Sequence, residues 1–112
     1  MPRTHDLLRR YVALFNVGVR AGDYDPMLEG FTEDAEVFFK GLPIGPFRGR
    51  EVIATAFVES SPDDEVRLGD IQDEGPEVVA DYAWAADPGR RAGQLHAVYD
   101  GDLIARLVVT VD

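Results

Sequence analysis

The sequence predicts an α+β fold in which helices pack on one face of a curved antiparallel sheet. Apolar residues recur at helical spacing in the first half of the chain, and they alternate with period two in the second half. Segments rich in Asp, Gly and Pro separate the later runs, as is typical of tight turns between strands. At 112 residues the chain is long enough for one hydrophobic core, so we expect a single domain over residues 1–112.

The first helix is predicted over residues 5–21. Apolar side chains are spaced so that they share one face of this helix, and polar ones such as Asn16 are expected on its other faces. Thr4 is placed to cap the start and Gly22 to end the helix. His5 lies in what we expect to be a frayed terminus, so it is given no functional role.

Two further helices are predicted in the first half. Asp23 and Pro26 are typical of a helix start, and the apolar stripe of this short second helix extends to Phe31. The third helix carries an apolar stripe over residues 52–57 and stops before Pro62. Three helices therefore precede most of the sheet.

Five strands are predicted from β-favouring composition and period-two alternation. The first, Ala35–Phe39, leads into a loop rich in Gly and Pro. The remaining four are separated by short turns, so they can only form an antiparallel meander, because a parallel return needs a crossover of about a dozen residues. These four runs are Val66–Gln72, Val78–Ala86, Ala92–Asp100 and Leu103–Val111.

Composition excludes several classes of function. The formal net charge of -10 argues against binding to nucleic acid or to anionic membranes. The chain has no cysteine and only 2 histidines, so we expect neither a metal site nor thiolate chemistry. No apolar run has the length of a signal peptide or of a membrane span, and we therefore expect a cytoplasmic protein.

Several motifs arrive in the order of a known family. The segments AGDYDPMLEGFTEDAEVFF, FRGREVIATAF and YDGDLIARLVVTVD resemble the nuclear transport factor 2-like superfamily, in particular its SnoaL-like and ketosteroid isomerase-related branch, over nearly the whole chain. The resemblance implies a cone of curved antiparallel sheet packed with three N-terminal helices. It also implies an apolar pocket without a cofactor. It does not imply one reaction, because the superfamily includes isomerases, cyclases, epoxide hydrolases and non-catalytic binding domains.

Ketosteroid isomerases use a catalytic base, an acid on a late strand and a tyrosine, and the resemblance assigns each of them to a position of this sequence. The catalytic base falls on Phe39, or on Lys40 if the hairpin holds one more residue, and the late-strand acid falls near Leu95. Neither Phe39 nor Leu95 can exchange a proton, and Lys40 could act as a base only if its pKa were lowered by desolvation. The tyrosine falls on Tyr11 by similarity or on Phe15 by ungapped counting. Isomerisation by the usual residues is therefore not expected.

These positions are instead expected to form a pocket wall. Phe39 would line the cavity with Phe38 behind it, and Lys40 would lie at the rim. For Tyr82 and Trp84 two alternatives stay open: they contact the ligand, or they pack outside against a second subunit. The residues expected to line the pocket are Tyr11, Phe15, Phe39, Lys40, Tyr82, Trp84 and Leu95.

Asp81 is the best candidate for a catalytic acid or base, together with Tyr11. If Asp81 faces inward and pairs with Arg106 or His96, it could activate water or a substrate carbon. The alternative is a polar outer face or dimer surface. The sequence thus favours a homodimer that binds a small hydrophobic molecule, and the alternative is a cyclase, isomerase or epoxide hydrolase-like enzyme, in which Asp81→Ala would abolish turnover.

Overall fold

The computed structural model describes residues 3–112. Within this range the chain forms three helices and one curved, unclosed sheet of six strands, so the predicted α+β class is confirmed. No helix in this part of the chain has both the length and the hydrophobicity needed to cross a lipid bilayer. The elements in chain order are α1 (Arg3–Ala21), α2 (Asp25–Leu28), β1 (Phe31–Lys40), β2 (Phe47–Arg48), α3 (Arg50–Glu59), β3 (Val66–Glu74), β4 (Glu77–Trp84), β5 (Gly93–Asp100) and β6 (Leu103–Val111).

The strands lie in the order β2-β1-β6-β5-β4-β3. Strands β3 to β6 form the antiparallel meander that the short turns predict. Strand β1 pairs with the last strand of that meander, β6, and this pair is parallel. The parallel pair was not predicted. It forms because α3 and the whole meander separate the two strands in sequence and act as a long crossover.

Strand β1 begins earlier than the sequence pattern indicated. The sequence pattern predicts Phe31 in the apolar stripe of the second helix, but α2 ends at Leu28 and Phe31 is the first residue of β1. Phe31 pairs in register with Ile104, and the Ile104 backbone N–H donates to the Gly30 carbonyl at 2.8 Å. The Phe31 ring also packs edge-on against Tyr11, with the ring centroids 5.7 Å apart. Pairing with β6 therefore overrides the local helical pattern.

Helix α1 differs from the sequence prediction at three residues. Its first described residue is Arg3, so Thr4 lies inside the helix and does not cap it. His5 is not frayed, because its Nε2 lies 3.2 Å from an Asp73 carboxylate oxygen. Asn16 is buried: its Nδ2 donates to the Val66 carbonyl at 2.9 Å, and its Oδ1 accepts from the Val66 N–H at 2.8 Å. This paired hydrogen bond fixes α1 against the start of β3.

The sheet has an inner face, which contacts the helices, and an outer face. On β4, Val78, Ala80 and Tyr82 belong to the hydrophobic core between the sheet and the helices, and these residues define the inner face. The residues that alternate with them, including Val79 and Asp81, define the outer face. The core is therefore on one side of the sheet, which leaves the outer side to its own cross-strand contacts.

Candidate functional site

An apolar cavity of about 390 Å³ lies between the helices and the inner face of the sheet. Helix α1 contributes Tyr11 and Phe15 to its wall, and α3 contributes Phe57. These residues reach the cavity because the apolar stripes of both helices face the sheet, as their spacing requires. A volume of this size is within the range of small-molecule sites, about 300–1,000 Å³.

The exposed part of the cavity lining is mainly apolar. Trp84 at the end of β4 is 38% exposed, and Leu42 and Ile44, in the loop between β1 and β2, are 44% and 47% exposed. All three line the cavity. Glu59 and Ser60 are exposed lining residues as well. We call these five exposed lining residues the mouth. A ligand in the cavity would cover apolar surface at the mouth as well as inside.

The structure places six of the predicted lining residues at the cavity and leaves one away from it. Lys40 is exposed and is not among the lining side chains of the described residues. It pairs in register with Thr110 on the outer face, whereas its neighbour Phe39 points inward. Tyr82 and Trp84 line the cavity, and their rings contact each other edge to face at 5.8 Å. The six residues are Tyr11, Phe15, Phe39, Tyr82, Trp84 and Leu95.

Two lining tyrosines bring hydroxyl groups to the wall. Tyr11 is buried, and desolvation, followed by the nearby Tyr99, raises the pKa of its phenol. Among the buried side-chain oxygens and nitrogens of the described residues, only the Tyr99 hydroxyl has no hydrogen-bond partner. The Tyr82 hydroxyl, in contrast, donates to the Thr110 carbonyl at 3.2 Å. Burial, and then Asp112, raises the pKa of Tyr82.

Asp81 lies on the outer face and does not line the cavity. Its Oδ1 accepts a hydrogen bond from the Gln94 Nε2 at 2.9 Å and lies 3.5 Å from an Arg91 guanidinium nitrogen. The pairing with Arg106 or His96 that the sequence suggested does not form. Arg106 instead lies over the Phe38 ring, 5.4 Å from its centroid, and His96 lies 4.0 Å from Glu77. The structure therefore does not bring Asp81 and Tyr11 into one site.

Sequence reasoning missed several lining residues. Leu107, Val109 and Val111 alternate along β6 and all face the cavity. The period-two pattern of β6 could have identified them, because Tyr82 and Leu95 of the neighbouring strands set the same face. Glu59, at the end of α3, is also a lining residue and carries the only charge among the lining side chains in the described part of the chain. No pattern in the sequence indicated its position.

The described residues contain no group of three or more His, Asp, Glu or Cys side chains arranged to hold a metal ion. The polar groups that line the cavity are phenols, an indole, a serine hydroxyl and one carboxylate. Such groups can orient an organic ligand by hydrogen bonding.

Several solved structures resemble this fold. An NTF2-like protein of unknown function from Cytophaga hutchinsonii is 18% identical with a TM-score of 0.73, covering 100% of this chain and 92% of that one. A provisionally assigned polyketide cyclase from Sinorhizobium meliloti is 19% identical with a TM-score of 0.64, covering 89% of this chain and 93% of that one. A provisionally assigned ketosteroid isomerase from Kribbella flavida is 14% identical with a TM-score of 0.63, covering 96% of this chain and 78% of that one. At these identities the likeness shows the shared fold alone.

The comparison with curated proteins gives no match. The family model of the SnoaL-like domain, in contrast, matches residues 8–107. That range extends from α1 to β6 and includes both helical walls of the cavity. The match confirms the resemblance that the sequence motifs indicated. The chain therefore belongs to the SnoaL-like family.

Proposed function

We propose that this protein binds a small, largely apolar molecule in the cavity. The observation that carries the proposal is an open, preformed cavity whose wall is almost entirely aliphatic and aromatic. Transfer of apolar ligand surface from water into such a site is favourable by about 25 cal/mol per Å². Because the exposed side chains of Leu42 and Ile44 would also be covered, ligand binding removes protein apolar surface from water at the same time.

The hydroxyl of Tyr11 suits a ligand that carries a hydrogen-bond acceptor. A phenol that lines the cavity can donate a hydrogen bond to a ligand acceptor such as a carbonyl oxygen. This phenol is protonated at neutral pH, because its ordinary pKa is 10.0 and burial raises the pKa further. Tyr11 would therefore donate, and the ligand would accept.

A cavity-filling variant tests the proposal. The probe is N-phenylnaphthylamine, an apolar dye that is uncharged at neutral pH and fluoresces when it leaves water. Ala56→Phe adds a ring to the cavity wall and should weaken dye binding about tenfold. Val58→Phe is the matched control, because Val58 is on the same helix but is 79% exposed and outside the cavity, so its affinity should not change.

Circular dichroism of both variants controls for folding. If the parent protein does not bind the dye, or if a folded Ala56→Phe protein binds it as tightly as the parent does, the proposal is wrong.

A second candidate function is catalysis by a cyclase, isomerase or hydrolase of this family, and the buried Tyr11 phenol in the cavity wall favours it. A phenol in that position could stabilise negative charge that develops on a ligand oxygen. Asp81 is on the outer face, however, so it cannot accept a proton inside the cavity. Glu59 at the mouth is the only lining carboxylate in the part of the chain that the structure describes. We therefore place binding first.

The homodimer expected from the sequence is proposed through the outer face. One register row across β1, β6, β5 and β4 contains Phe38, Val108, His96 and Val79. The centre of the outer face is therefore mainly apolar, with one imidazole, and it has charged residues around it. Such a centre is typical of a protein interface. Sedimentation over a range of concentrations tests this, and a single-chain mass throughout would contradict it. The cytoplasmic location expected from the sequence also remains a proposal.

A further inference from the structure

The cavity lining in the described part of the chain carries negative charge and no positive charge. Among the lining side chains of the described residues, Glu59 is the only charged group, and none is Lys, Arg or His. Glu59 is the last residue of α3, and Ser60 and Pro62 after it also line the cavity. Glu59 is therefore a lining residue that is also exposed to water. An apolar ligand would meet one negative charge and no positive one.

The chain on this side adds further negative charge. Residues 59–65, ESSPDDE, hold four carboxylates and no basic residue. Two of the four are already engaged: Asp64 accepts hydrogen bonds from the Glu65 and Ala86 N–H groups at 2.8 and 3.0 Å, and Glu65 lies 2.7 Å from an Arg20 guanidinium nitrogen. Within residues 3–112, Glu59 forms no ion pair and is available to a ligand.

The nearby basic residues do not balance this charge. Lys40 lies on the outer face before the loop 41–46, and that loop carries no charged residue. Arg91 is held by Asp81 and Asp112, and its Nε lies 2.8 Å from an Asp112 oxygen. The formal net charge of -10 makes the long-range field negative as well. An anionic ligand would therefore be repelled both on approach and at the mouth.

The lining also favours cations through its aromatic rings. Phe57, Tyr82 and Trp84 all line the cavity, and Trp84 is partly exposed at the mouth. The face of an aromatic ring attracts a nearby ammonium group, and Trp is the strongest of the three. The lining thus contains a carboxylate and aromatic rings, which are the groups that recognise an organic cation.

We propose that the ligand is an apolar molecule that carries a protonated amine, with its apolar body in the cavity and its ammonium group at the mouth beside Glu59. This inference rests on the proposed binding function and adds the charge of the ligand to it. A neutral ligand that covered Glu59 would remove water from an unpaired carboxylate, which is unfavourable. An ammonium group replaces that water with an opposite charge, so the amine should bind with higher affinity than its neutral analogue.

Three ligands with the same ring system and different charge test the inference. They are aminomethylanthracene, hydroxymethylanthracene and anthracene carboxylate, which at neutral pH are cationic, neutral and anionic. Binding is measured by energy transfer from Trp84, the only tryptophan in the sequence, to the anthracene. We expect the amine to bind about threefold to fivefold more tightly than the alcohol, and the acid to bind most weakly. The advantage of the amine should shrink as salt is added.

Glu59→Gln should remove the preference for the amine without weakening binding of the alcohol. Glu51→Gln is the matched control, because it removes the same charge from the same helix at an exposed position outside the cavity lining. The two glutamates are eight residues apart in the sequence, which is about 12 Å along a helix. Glu51→Gln should therefore keep the preference.

The outcomes separate the two proposals. If all three ligands bind with equal affinity, if the alcohol or the acid binds most tightly, or if Glu59→Gln keeps the amine preference, the inference is overturned and the apolar site stands. If none of the three ligands binds, and N-phenylnaphthylamine does not bind either, both proposals are wrong.

Discussion

Two adjacent residues of β4 show how the inner and outer faces of the sheet differ. Tyr82 points inward, lines the cavity and is 4% exposed, while Asp81 points outward and contacts Gln94 and Arg91. On the inner face, side chains are held by packing against the helices. On the outer face, Asp81 is held by a hydrogen bond from Gln94 and by the charge of Arg91. Substitutions on the two faces should therefore differ in size and in sensitivity to salt.

The largest expected effect is the loss of a large inner-face side chain. Leu107 of β6 is 2% exposed, and Leu107→Ala should lower the free energy of unfolding by about 2–5 kcal/mol. Arg106, the next residue along the strand, lies over Phe38 on the outer face, and Arg106→Ala should cost only about 0.5–1 kcal/mol. Urea denaturation measures both values. Equal losses would show that the two faces are not held by different forces.

An intermediate effect is expected from Tyr11 at high pH. Burial raises the pKa of Tyr11 above its ordinary value of 10.0, so as the pH rises above about 10 the unfolded chain loses its phenol proton first. The stability due to the neutral phenol is therefore complete below pH 10 and decreases above it, by about 1.4 kcal/mol per pH unit. Tyr11→Phe should make this decrease shallower.

The measurement is the urea midpoint from neutral pH to pH 11. Tyr11→Phe should change the midpoint little at neutral pH, since the substitution keeps the buried ring and removes only the hydroxyl. An unchanged slope above pH 10 would mean that the phenol is not buried in the folded protein.

The smallest effect is expected at Asp81. Its side chain is 37% exposed, and its distance of 3.5 Å to Arg91 is long for an ion pair. Asp81→Asn should change the free energy of unfolding by no more than about 0.5 kcal/mol, and high salt should remove the difference. Binding of N-phenylnaphthylamine should be the same as in the parent. A loss of dye binding in a folded Asp81→Asn protein would contradict the separation of the outer face from the cavity.

The comparison also shows how far the sequence could be interpreted. The alternation on β4 predicted that Tyr82 and Trp84 share one face and Asp81 the other, which the structure confirms. It could not predict which face is inward, because both sets contain apolar residues. Val79 on the outer face is only 5% exposed, as buried as Val78 on the inner face at 4%. Local hydrophobicity therefore did not distinguish the faces.

Asn16 and Phe31 show the same limit in the helices and β1. Asn16 is polar, yet it is buried because Val66, distant in sequence, offers an N–H and a carbonyl that match its amide. Phe31 fits the stripe of a short helix, yet it pairs with Ile104. In both cases the deciding partner is far away in the chain.

The sequence by itself determined the class of each long element, the antiparallel order of β3 to β6 and the family, because periodicity, turn residues and short connections act over a few neighbouring residues. Only the tertiary structure decided that β1 lies parallel to β6, that Asp81 points away from the cavity and that Glu59 lies at its mouth. These features depend on contacts between segments that are separated by tens of residues. The pattern of a single segment contains no information about which distant backbone or side chain will face it.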